Sequence, residues 1–267
     1  MEHNAHYRGG TIYYTVEGEG ETIMLVHGYL ESSEVWGEFA ERLAENFRVI
    51  AVDLPGNGRS SLYEEEHTMC FLADALISVL DNEKTERTTI VGHSLGGYVT
   101  LSVVERFPGR LNGYVLFHSH PFADSDETRK NRIREIDIVQ SGKKDLIYPV
   151  NIPKMFADIN LDRFSLALEK SKKIASGHEA EGIISVLYGM MNRKARDNIM
   201  ANSEVPVQVI LGTMDNYIDY KTTLNRIKLP ARGELVTLKG SGHMGFIEEC
   251  DLSVEIVSAF VRSPGTR

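Results

Sequence analysis

The chain has 267 residues, with 29 Lys+Arg against 38 Asp+Glu and a formal net charge of −9. Its 42% apolar and 25% charged residues are ordinary for a folded protein, which excludes a disordered, collagenous or coiled-coil chain. The acidic balance, with no basic run, argues against a nucleic-acid partner, because phosphate contact needs clustered Lys and Arg.

Two cysteines, Cys70 and Cys250, cannot build a disulfide framework and point to a cytosolic setting. Both lie in apolar-periodic stretches, so buried free thiols are expected. The opening MEHNAHYRGG has neither a basic n-region nor an apolar h-region. No apolar run approaches the ~20 residues that span a bilayer. These features predict a soluble cytoplasmic protein with no membrane partner and leave the oligomeric state open.

In chain order, residues 11–16 (TIYYTV) and 22–26 (TIMLV) read as strands around the turn 17–20 and together as a hairpin. Val35, Trp36, Phe39 and Leu43 have helical spacing within 34–46. Residues 47–52 read as a strand and 68–80 as a helix. A strand at 88–91, a helix at 97–107 and a strand at 111–118 follow. Such alternation, with strands apolar on both faces, predicts a parallel sheet covered by helices. The rhythm breaks at Pro121. Residues 124–140, 161–175 and 180–191 all have helical patterns, so 121–203 reads as an all-helical insertion. The core is then 1–120 and 204–267. It resumes with a strand at 205–211, a helix at 219–228, a strand at 234–238 and a helix at 252–261.

The chemistry starts at Gly92-His93-Ser94-Leu95-Gly96, a G-x-S-x-G run between a strand and a helix. That setting suits a nucleophile elbow, a tight turn that lifts a serine hydroxyl clear of the sheet. A Walker-type phosphate loop would need Gly-Lys-Ser/Thr, which is absent. A serine needs a base. Of nine histidines, His3, His6 and His67 lie in polar segments expected to be mobile, and His178 lies in the insertion. His243 sits in Lys239-Gly240-Ser241-Gly242-His243, a loop after the last strand, at the carboxyl edge where Ser94 emerges. Asp215, just past strand 205–211, is the carboxylate that would orient it. The order Ser94, Asp215, His243 is that of an α/β-hydrolase. The backbone N–H groups of Tyr29 and Leu95 are the expected oxyanion donors.

These pieces resemble the α/β-hydrolase superfamily along essentially the whole chain. They are Leu25-Val26-His27-Gly28, Asp53-Leu54-Pro55-Gly56-Asn57-Gly58-Arg59-Ser60, Gly92 to Gly97, Gly212-Thr213-Met214-Asp215 and Gly242-His243. The resemblance implies an α/β fold with a mostly parallel eight-stranded sheet and a helical cap, a serine nucleophile, and no catalytic role for the loop 53–60. The departures matter too. Tyr29-Leu30 after His27-Gly28 lacks the extra glycines of HGGG-type lipases and disfavours bulky acylglycerols. Ser94 in place of Asp points away from haloalkane dehalogenases and epoxide hydrolases.

The expected activity is hydrolysis of a small, largely apolar ester, thioester, lactone or amide through an acyl-enzyme, with no cofactor and no metal. His27, His93, His118, His120, Met155, Tyr188 and Met244 are the candidate pocket residues. His27 also reads as a buttress of its loop, and His118 and His120 are placed on one strand face by their spacing. Three rivals stay open: a C–C bond hydrolase, a cofactor-free perhydrolase and a low-turnover ligand-binding member of the fold. Arg129, Arg132 and Arg134 would be the cations of a C–C hydrolase pocket, against their reading as a solvated face.

Overall fold

The computed structural model describes residues 1–63 and 66–263. Eight strands form one sheet: β1 (Glu2–Tyr7), β2 (Gly10–Glu17), β3 (Thr22–Val26), β4 (Arg48–Val52), β5 (Thr88–His93), β6 (Leu111–Phe117), β7 (Val207–Gly212) and β8 (Gly233–Leu238). Their spatial order is β1-β2-β4-β3-β5-β6-β7-β8. β1 and β2 are antiparallel, as are β2 and β4, and every other pairing is parallel. The central strands read as unbroken apolar runs because both faces are covered. β5 and β7 are buried at every residue.

The antiparallel start is present, but its partners differ from the expected hairpin. β2 does not pair with β3. It pairs with β1 on one side and β4 on the other. β1 escapes pattern reading because EHNAHY is an edge strand in which Ala5 alone is fully buried.

Helices α1 (Gly37–Ala44), α2 (Met69–Asn82) and α3 (Leu95–Arg106) lie between the first strands. Thr68 caps α2 by accepting from the Phe71 N–H, satisfying one of the amides that a helix start leaves open. The segment between β6 and β7 holds α4 (Asp126–Gln140), α5 (Tyr148–Met155), α6 (Ser165–Ser176), α7 (Ala180–Met191) and α8 (Asp197–Ala201). α5 has no counterpart in the sequence reading, since Pro149 and Pro153 mask its periodicity. α9 (Tyr220–Arg226), α10 (Gly245–Glu248) and α11 (Cys250–Arg262) complete the chain. Among the described residues no helix is long and apolar enough to cross a membrane.

The cysteines depart from expectation. Both are free thiols, but Cys70 is exposed and Cys250 is half-buried. Each lies in the first turn of its helix, on the flank of the apolar stripe. His67 is not mobile: it is 0% exposed and stacks on Phe71. Arg132 is not part of a solvated face, because it pairs with the buried carboxylate of Asp124 at 2.6 Å. Arg129 and Arg134 are exposed.

The segment between β6 and β7 packs on the loop between β4 and α2 through backbone proximity. A Cβ at Gly182 of α7 would lie 2.4 Å from the Gly56 carbonyl oxygen, and one at Gly189 only 1.9 Å from that of His67. Seven residues is about two helical turns, so both glycines present one face to these core loops. Gly189→Ala is therefore expected to force α7 away from the His67 loop and destabilise the fold by about 1–3 kcal/mol. A lowered urea midpoint with an unchanged slope would register this.

Candidate active site

Ser94 links β5 to α3 with φ 49° and ψ −110°. A positive φ at a non-glycine residue costs on the order of 1–3 kcal/mol and persists only where neighbours enforce it. Here the Ser94 N–H donates to the Phe117 carbonyl (3.0 Å). The Ser94 carbonyl accepts from Gly97 N–H (3.0 Å) and from the Ser119 hydroxyl (2.8 Å). A Cβ at Gly96 would stand 2.1 Å from the Val26 carbonyl oxygen of β3, so only glycine lets α3 start this close to the sheet. The Ser94 hydroxyl makes no hydrogen bond to any described residue and is not sealed from solvent.

His243 lies between β8 and α10 on a loop shaped by two glutamates. Glu248 Oε1 accepts from Gly242 N–H (2.9 Å) and Met244 N–H (3.3 Å). Glu248 Oε2 accepts from Ala157 N–H (2.8 Å) and Asn160 Nδ2 (2.7 Å) of the insertion. Glu249 Oε2 accepts from Gly240 N–H (2.9 Å) and the Ser241 hydroxyl (2.5 Å). The His243 N–H donates to the Met155 carbonyl at 2.6 Å. His243 Nδ1 donates to Asp215 Oδ2 at 2.7 Å, both side chains being nearly inaccessible. That bond fixes the tautomer and leaves the Nε2 lone pair available as a base. The Tyr217 ring lies 5.3 Å from the imidazole, centroid to centroid.

Asp215 Oδ1 accepts from the N–H groups of Tyr217 (2.7 Å) and Ile218 (2.8 Å). Burial alone would raise its pKa. Its electrostatic interaction with His243 and the hydrogen bonds from His118 and His243 outweigh burial and hold the carboxyl well below its ordinary range.

The loop after β3 carries Tyr29. His27 is fully buried, with Nδ1 donating to the Gly28 carbonyl (2.8 Å) and Nε2 accepting from Leu54 N–H (3.0 Å). The backbone N–H groups of Tyr29 and Leu95 donate to nothing among the described residues. The Tyr29 phenol is also enclosed without a partner. Its surroundings include Glu135, Arg132 and Tyr217. Tyr217 donates to the Asn151 carbonyl (2.9 Å), and Asn151 Nδ2 donates to Glu135. The surroundings of the phenol are thus polar.

The remaining sequence-predicted positions are dispersed. β6 ends at Phe117, and His118 has φ 46°, so His118 and His120 do not share a strand face. His118 turns inward: Nδ1 is 3.4 Å from Asp215 Oδ2, and Nε2 accepts from Gly245 N–H at 3.1 Å. Burial lowers its pKa to about 4. His120 packs beside Tyr98 and Phe122, and burial, then the Arg193 charge, lowers it to about 3. His93 and Met244 are fully buried, Met155 is buried, and Tyr188 is exposed. Asp53 accepts from Ser33 N–H (2.7 Å) and Arg59 N–H (2.8 Å), joining loops rather than facing the serine. The donor atoms of His118, Asp215 and His243 lie within 4.8 Å of one another, a spacing that a metal ion could use. Here they are committed to hydrogen bonds with each other and with backbone N–H groups. Glu31, Tyr217 and Glu248 escaped sequence reading. Their only signal is an acidic or aromatic residue within a few positions of a motif.

His118 and His178 are buried and neutral, each with a pKa lowered to about 4 chiefly by burial. Between pH 6.5 and 4 the unfolded chain binds these protons and the folded chain does not. Stability is therefore full above pH 6.5 and falls as the pH drops through this window. Each group contributes about 1.4 kcal/mol per pH unit. Denaturant titrations are expected to show that decline well above the carboxylate range. A flat profile from pH 7 to 5 would contradict it.

A sequence profile described as the alpha/beta hydrolase fold matches residues 21–135. A pimeloyl-[acyl-carrier protein] methyl ester esterase of Aeromonas salmonicida is 28% identical over 91% of this chain and 96% of its own. A thermophilic esterase from Thermogutta terrifontis superposes with a TM-score of 0.92 at 23% identity, covering 98% of both chains. An enol-lactonase from Burkholderia xenovorans does so with a TM-score of 0.90 at 20% identity, covering 97% of this chain and 100% of its own. With a doubly covered parallel sheet and a strained serine between its fifth strand and the next helix, the chain has the alpha/beta-hydrolase fold.

Proposed function

We propose that the protein is a serine hydrolase that cleaves a small carboxylic ester, thioester, lactone or amide through an acyl-enzyme. The observation that carries this reading is the 2.7 Å bond from His243 Nδ1 to Asp215, with no hydrogen bond to Nε2 among the described residues. In the proposed reaction His243 Nε2 takes the Ser94 proton while the serine oxygen bonds to the substrate carbonyl carbon. Negative charge moves to the carbonyl oxygen, which accepts from the Tyr29 and Leu95 N–H groups. The imidazolium, stabilised by Asp215, then protonates the leaving group as its bond to the acyl carbon breaks. Water, deprotonated by His243, attacks the acyl-enzyme, and Ser94 recovers its proton as the acid leaves. Removing one oxyanion donor typically costs ~2.7–4 kcal/mol.

The hydrolase class is supported by the likeness to a methyl ester esterase and to a thermophilic esterase. The segment 121–203 is read as a cap, since Met155, Ala157 and Asn160 bond directly to the His243 loop or to its Glu248. The enclosed phenol of Tyr29, near Glu135 and Arg132, argues for some polarity in the substrate instead of a wholly apolar chain.

A panel of p-nitrophenyl esters of increasing chain length, with amides and lactones, tests the class. Ser94→Ala and Asp215→Asn are each expected to lower kcat by about 10⁴-fold. A fluorophosphonate probe is expected to label Ser94. Full esterase activity in Ser94→Ala would overturn the mechanism.

A further inference from the structure

Both ring nitrogens of His93 face oxygen acceptors. Nδ1 lies 2.9 Å from Glu31 Oε2, and Nε2 lies 2.9 Å from the carbonyl oxygen of His243. A neutral imidazole has one N–H, so beside an ionised Glu31, whose pKa lies below its ordinary value, one of these contacts would set two lone pairs against each other. Water cannot relieve the conflict, because His93 is 0% and Glu31 2% exposed. The imidazolium donates to both. A buried carboxylate beside it supplies the counter-charge that such a cation requires.

The charged and titratable groups around it agree with that state. Glu31 after β3 and Asp215 after β7 favour the cation against the cost of burial. His27 at the end of β3 and His118 after β6 are kept from charging chiefly by burial. His243 after β8 presents its carbonyl oxygen. Trp36 and Phe246 close the remaining sides, with centroids 6.3 and 5.0 Å away.

The pair also touches each of the three segments that carry the proposed site. Glu31 Oε2 accepts from Gly28 N–H at 2.6 Å, next to the Tyr29 amide. His93 immediately precedes Ser94. The third contact is the backbone of the general base itself.

We propose that Glu31 and His93 are positioning residues, a buried carboxylate–imidazolium pair that holds the oxyanion loop, the serine turn and the His243 loop in one register and makes turnover depend on the His93 proton. The kinetic consequence rests on the hydrolase reading above; the protonation of His93 does not.

Two measurements on the full chain test this. In protein labelled with ¹⁵N-histidine at about pH 8, above the ordinary histidine range, one histidine is expected to carry protons on both ring nitrogens. That signal should vanish in His93→Asn. Glu31→Gln keeps an acceptor for Gly28 N–H but removes the charge. It is expected to lower kcat for a p-nitrophenyl ester roughly 100-fold, the scale of a small misplacement of reacting groups. KM should stay within about threefold, since ground-state binding is not touched. The alkaline limb of kcat should move to lower pH, and Glu31→Asp should restore part of both. A singly protonated His93 at this pH, or a wild-type kcat and pH profile in Glu31→Gln, overturns the proposal. If Glu31→Gln does not fold, the wild-type spectrum still decides it. Absence of hydrolysis in the wild type, with His93 doubly protonated, would instead count against the hydrolase reading.

Discussion

A carboxylate taken out of water must recover its hydrogen bonds from the protein, and this constraint organises the carboxyl edge of the sheet. Four acidic side chains are buried there, and each collects N–H groups from segments distant in sequence. Asp53 joins Ser33 to Arg59, and Glu31 joins Gly28 to His93. Asp215 gathers Tyr217, Ile218 and His243, while Glu248 gathers Gly242, Met244, Ala157 and Asn160. Loops that would otherwise move independently are thereby pinned to one another. The same bonds hold the loops that carry His243, Asp215 and Tyr29.

The proposed acyl transfer makes one electrostatic demand of this edge. Charge that develops on a carbonyl oxygen is stabilised best by donors already in position, because none has to reorient during the reaction. The Tyr29 and Leu95 amides have no internal acceptor to give up. Strain at Ser94 is sustained by the bonds of its own N–H to Phe117 and of its own carbonyl to Ser119, and by the close passage of Gly96 against β3.

Much of the fold was legible because it rests on local pattern. The apolar runs at 22–26, 88–91 and 205–211 announce buried parallel strands, and the helical stretch 180–191 coincides with α7. Ser94 and Asp215 drew attention because they lie within three residues of the ends of such strands, and His243 because its loop follows the last strand. What remained hidden depends on three-dimensional neighbours. β1 is polar and gains its strand character only by pairing with β2. Glu31 and Glu248 look like ordinary surface acids until the fold buries them. His93 read as a pocket residue, yet its side chain points away from solvent into the contact between loops. His118 and His120 were separated by a single left-handed backbone step that spacing cannot reveal.

The most direct test of the account is a crystal structure of the chain after reaction with a p-nitrophenyl phosphonate, whose tetrahedral adduct imitates the intermediate. The account predicts phosphorus bonded to Ser94 Oγ, with the phosphonyl oxygen about 2.7–3.1 Å from the Tyr29 and Leu95 nitrogens. An adduct on another residue, or a phosphonyl oxygen turned away from both amides, would contradict it.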